Sequence, residues 1–80
     1  MTTQTELLVS TAVDKMVERL MNDYHATFQW AMRTVLGSQT YNRMLKNAAF
    51  RGESPLYIYE HLKRELEKQK VLDIVPHSAL

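Results

Sequence analysis

Three histidines, His25, His61 and His77, are the residues of this chain best suited to metal or acid–base chemistry. A zinc centre needs three or four converging His, Cys or carboxylate side chains. His61 and Glu65 share a helical i,i+4 spacing, but that gives two ligands at best, and there is no cysteine to add a thiolate. Nucleophilic catalysis needs a serine or threonine beside a histidine base. Ser38, Ser54 and Thr27 instead stand just ahead of runs of helix formers, where a hydroxyl accepts from unpaired N–H groups of the first turn. No catalytic residue, metal ligand or cofactor is assigned, and the chain reads as a non-enzyme.

Charge is the next candidate. Between Asp23 and Glu53 there is no acidic residue, yet Arg33, Arg43, Lys46 and Arg51 all fall there. Converging on one face, they form a basic patch for phosphate or an acidic partner. Dispersed, they only solvate two short helices. The segment also invites a helix-turn-helix reading around Gly37. Against it, Arg33 sits where a small residue lets the helices approach, and Arg43 and Lys46 sit where apolar residues are needed. A short α-hairpin is the expected structure, and nucleic-acid binding through this patch is the alternative function.

Among the aromatic residues, Tyr57 and Tyr59 lie about 200° apart on a helix, so they cannot share one core. One is expected to be buried with its hydroxyl bonded at the rim. Tyr57 and Trp30 are the candidate partner contacts, because half-exposed aromatic side chains anchor interfaces.

The elements that must position these groups are helices. Ser54-Pro55 is a helix start, with Ser as N-cap and Pro at the first helical position. Ile58, Tyr59, Leu62 and Leu66 then recur at three- and four-residue spacing, within a run free of further Gly or Pro. Thr5 or Thr3 can cap a first helix, whose apolar face is broad: Val9, Val13, Met16, Leu20 and Tyr24, widened by Leu8, Ala12, Val17 and Met21. Such a helix is central, or half of a homodimer interface. Thr27 is expected to cap a second helix with Phe28, Ala31, Met32, Val35 and Leu36 inward, closed by Gly37 at φ > 0. Ser38 caps a third, with Tyr41, Met44 and Leu45 inward. Residues 47–53 read as a loop holding one buried anchor, Phe50. The expected fold is all-α: one small domain over 1–80, a bundle of four helices at about 5–23, 27–36, 38–46 and 54–70. Residues 1–4 are frayed and 71–80 form a tail, whose VLDIV run could extend the helix, dock as a loop, or pair as a strand in a complex.

Composition sets the frame. Eighty residues make one domain, which buries only about two-thirds of its unfolded surface. Hydrophobic content of 45% and charged content of 24% are ordinary globular values. A net charge of +1 points to no particular partner. No apolar run approaches the ~18 residues of a membrane span. The N-terminus has no signal-like core, so the expected location is the cytoplasm, with no membrane partner.

Several pieces recur together in an order seen elsewhere: Leu20-Met21-Asn22-Asp23, Ala31-Met32, Ser38-Gln39-Thr40-Tyr41, and Ser54-Pro55-Leu56-Tyr57-Ile58-Tyr59 through Glu65-Leu66. Across about residues 13–66 the chain resembles a group of small uncharacterised bacterial proteins with the pattern L-M-x-D, A-M, S-x-T-Y and S-x-x-Y-V-Y followed by E-L. The resemblance implies a compact all-helical fold. It also implies association with ADP-ribosyltransferase-like toxin modules, and hence an antitoxin-like or accessory role. At Asn47–Gly52 the chain departs from the group, which runs closer to an acidic, Thr-Gly-Leu-Tyr-like segment there. The function expected is that of a protein-interaction or regulatory module, through a protein partner or self-association as a homodimer.

Overall fold

The computed structural model describes residues 3–69. It is an all-α bundle, and the sequence supplies a stop or start signal at almost every helix boundary. The first helix, α1, spans Thr3–Tyr24, so Thr5 lies inside its first turns and is not its cap. At its end His25 takes φ 54°, the left-handed conformation that terminates a helix and that His tolerates better than most residues. The chain turns, and Thr27 accepts the Trp30 N–H at 3.1 Å to start α2, Phe28–Leu36.

Gly37 closes α2, but not by a positive φ: it takes φ −91°. Its small size is what the site uses, because a Cβ there would stand 3.1 Å from the Arg33 carbonyl oxygen, to which the Gly37 N–H donates at 2.9 Å. Ser38 follows directly. Its hydroxyl donates to Val35 O at 2.7 Å and accepts the Tyr41 N–H at 3.0 Å, tying the end of α2 to the start of α3, Gln39–Lys46.

Residues 47–53 are not simply a loop. Asn47 ends α3 by donating its N–H to Arg43 O at 2.9 Å. Its side-chain oxygen then accepts the Phe50 N–H at 2.9 Å, starting a one-turn helix, α4, Ala48–Arg51. Paired alanines after an Asn cap are good helix formers, and Gly52 stops them after one turn. Ser54 accepts the Tyr57 N–H at 3.2 Å and opens α5, Pro55–Gln69. Lys70 and the VLDIV tail lie outside the described residues.

Helix α1 is the centre of the bundle. It packs mainly on α2 and α5 and also touches α3 and α4. Its broad face is buried at Ala12, Val13, Met16, Val17 and Leu20. Ala31 and Val35 close on it from α2, Met44 from α3, Phe50 from α4, and the full stripe Ile58, Tyr59, Leu62 and Leu66 from α5. Trp30, Met32 and Tyr41 pack at the edge.

Four residues expected on apolar inner faces lie outside. Leu8, Phe28, Leu36 and Leu45 are 45%, 54%, 46% and 47% exposed. The cause is helix length and coverage. Helix α2 buries only Ala31 and Val35, and α3 only Thr40 and Met44. At 100° per residue, Leu36 and Leu45 each stand about 120° round from the centre of those buried pairs. Phe28, on the first turn of α2, is left uncovered by the described elements.

Candidate functional site

Helix α3 separates two hollows. At 100° per residue, Tyr41 and Leu45 project on one flank, and Gln39 and Arg43 point about 160° away on the other. Met44 and Thr40 form the buried edge between them. The flanks differ in chemistry.

The first hollow, of about 380 Å³, lies between α3, the end of α2 and the N-terminal half of α1. Its floor and walls are mainly apolar, from Val9, Val13, Leu36, Tyr41 and Leu45. Leu36 and Leu45 also protrude from its edge, where they are nearly half exposed. Glu6 and Asp14 line the α1 rim and Arg51 the other side. Arg51 is held there by α3 itself. Its Nη1 donates to Met44 O at 2.7 Å and Leu45 O at 3.1 Å, so its cation sits on the carbonyl end of the helix, the end that favours positive charge.

The second hollow, of about 580 Å³, lies between α3 and α5 and is polar. Arg43, Arg64, Lys68 and His61 border it, with Phe50 at its base. The carboxylate of Glu65 joins the two helices across it. One oxygen accepts the Gln39 N–H at 2.8 Å, and the other accepts the Thr40 N–H at 3.0 Å and the Thr40 hydroxyl at 2.8 Å. A carboxylate at the positive end of α3 satisfies orphan donors and meets the helix dipole at once. His61 and Glu65, the pair with metal-ligand spacing, are thus used otherwise. Among the described residues no group of three or more His, Cys, Asp or Glu side chains could hold a metal ion.

Phe50 carries an aromatic cluster beside this hollow. The Arg43 guanidinium sits 4.3 Å from its ring centroid, a cation–π distance. The His61 ring meets Phe50 edge-on at 5.2 Å, and Tyr57 meets His61 at 4.9 Å. Tyr57 is 48% exposed. Tyr59, by contrast, is buried, and its hydroxyl donates to Asp23 at 2.7 Å. Burial and that hydrogen bond push the Tyr59 phenol far above its ordinary range, so it stays a neutral donor. Burial also raises the Tyr24 phenol.

The four cations of the acid-free segment do not line one hollow. Arg43 borders the polar hollow. Arg33 borders a smaller one of about 170 Å³ that shares Glu65 with it. Arg51 lies on the apolar flank, and Lys46 is exposed and borders none of these hollows. Trp30 is half-buried against the core. Sequence reasoning did not single out Arg64, Lys68 or Glu65 for this face. The spacing His61, Arg64/Glu65, Lys68 places them on one side of α5, and that was the available signal. The link from Glu65 to α3 has no local signature, since its partners are 25 and 26 residues away.

No protein-family model, curated protein or solved structure matches this chain. No helix of the described residues is long and apolar enough to cross a membrane.

Proposed function

We propose that the chain is a small protein-interaction module that acts as a two-fold pair, each copy covering the apolar flank of the other's α3. The observation that carries this reading is the 380 Å³ apolar hollow edged by exposed Leu36 and Leu45. A surface that offers both a hollow and two protruding leucines complements a second copy of itself. In an isologous contact each patch meets its own image. The charges support the same occupant, because Glu6 and Asp14 on one rim and Arg51 on the other can pair reciprocally across a two-fold axis. Helix α1, expected from its broad apolar face to be central or interfacial, supplies one wall of this patch as well as the bundle's core. An antitoxin-like or accessory role, which the resemblance implies, is one that such a surface serves by contact rather than by chemistry.

Sedimentation velocity over a concentration series tests the pairing. The wild-type chain is expected to sediment as a dimer that dissociates on dilution. The Leu36→Glu/Leu45→Glu variant should be monomeric with an unchanged helical circular-dichroism spectrum. A wild-type chain that stays monomeric up to its solubility limit would sink the proposal, and so would a double variant that still dimerises.

A further inference from the structure

Along α5 three hollows run end to end. The first, of about 170 Å³, is bordered by Asn47, Glu53 and Tyr57 and shares Arg43 and Phe50 with the second, the 580 Å³ hollow between α3 and α5. The second shares Glu65 with the third, bordered by Arg33 and Gln69. From Tyr57 to Gln69 the track follows twelve residues of α5, about 18 Å at the helical rise. Arg43, Arg64, Lys68 and Arg33 stand along it. Two carboxylates face it, Glu53 at one end and Glu65 in the middle. Both Glu65 oxygens already accept from the first turn of α3, so that charge is largely met by the helix terminus. A ligand in the track meets mainly guanidinium and ammonium groups. It also meets rings: Tyr57, half exposed, and His61, 4.9 Å from it.

We propose that this track binds single-stranded nucleic acid, with Arg43, Arg64, Lys68 and Arg33 on successive phosphates and a base stacked on Tyr57. A row of cations beside an accessible aromatic ring is what a strand with unpaired bases uses, because every base has a π-face and every link carries a charge. A duplex keeps its bases stacked inside and cannot offer one to Tyr57. An acidic peptide would use the cations and leave the ring without a partner. This site differs from a basic patch on the second and third helices: it takes Arg64 and Lys68 from α5 and leaves out Lys46 and Arg51. It is also independent of the apolar flank.

Fluorescence anisotropy of the full chain with labelled twelve-nucleotide oligo-U and oligo-dT tests it, at low and at physiological salt. Binding is expected to weaken as salt rises. The Arg64→Glu/Lys68→Glu variant should lose at least about tenfold in affinity, and Tyr57→Ala about fivefold or more. Lys46→Glu should change affinity by less than about twofold, because it borders none of the hollows. Replacing Arg64 and Lys68 with Ala should lower the slope of log K against log salt by about 1.4. These side chains are surface residues of α5, and circular dichroism checks that each variant folds. The proposal is overturned if the wild-type chain retains neither strand at low salt, or if Lys46→Glu weakens binding as much as the α5 double variant. Competition by duplex or polyglutamate as effective as that by unlabelled single strand would overturn it too.

Discussion

On one flank of α3 the protein leaves leucines in the open, and on the other it leaves arginines and a tyrosine. The two flanks are also held differently. On the polar side α3 is clamped to α5 by Glu65, which accepts three hydrogen bonds from Gln39 and Thr40, and Phe50 fills the base of the cleft. On the apolar side the described residues give α3 one side-chain clamp, Arg51 on the carbonyls of Met44 and Leu45. That clamp reaches only seven residues along the chain. The contrast teaches that the polar flank is a finished tertiary junction, whereas the apolar flank is bounded chiefly by local contacts. A finished junction can hold charged groups in fixed positions. An unfinished apolar one gains most from a partner that completes it.

The clamps can be removed one at a time to test this contrast. The largest effect is expected for Glu65→Ala, which unlinks α3 from α5 and leaves two N–H groups without acceptors. It should lower stability by about 2 kcal/mol, read as a fall in Tm of about 10 °C in a thermal melt. Arg51→Ala should cost less, about 1 kcal/mol, because its carbonyl partners can turn to water. Arg51→Lys should restore only part of it, since one ammonium does not reproduce the planar guanidinium. The smallest effect is expected for Arg43→Ala, about 0.5 kcal/mol for an exposed cation–π contact. Urea unfolding midpoints of the three alanine variants give the order. If Arg51→Ala proved more damaging than Glu65→Ala, the polar flank would not be the better-fixed side and the comparison would break.

Much of the fold was legible because its signals are local. Ser54, Ser38 and Thr27 each accept the backbone N–H three residues on, as a capping residue in that position should. The Ile58, Tyr59, Leu62 and Leu66 stripe is wholly buried because α5 is long enough for its period to define one face. The same logic weakens in α2 and α3, with nine and eight residues. Two turns cannot separate the centre of an apolar face from its edges, so Leu36 and Leu45 were read inward and lie outward. The single turn of α4 was hidden because a Gly and a short length look like a loop, although Asn47 and two alanines carried its signal. Of the surfaces, Tyr57 was legible as the tyrosine left over once Tyr59 took the core. The polar flank was not, because charge counted along the chain grouped Arg43 with Lys46 and Arg51. Folding groups it with Arg64 and Lys68 instead, through a carboxylate contact that no local pattern announces.

Asn47 ends one helix and begins the next without a residue to spare, and this fixes the length of the segment as firmly as its composition. An amino acid inserted there would lengthen the extended link at Asn47 and separate the end of α3 from the start of α4. Phe50 would swing away from the core, and Arg51 would lose the carbonyls it covers. Substitutions between Ser38 and Gly52 therefore have room to vary wherever a side chain faces water, while additions and deletions do not. Both flanks of α3 depend on that fixed count, the apolar one through Arg51 and the polar one through Phe50.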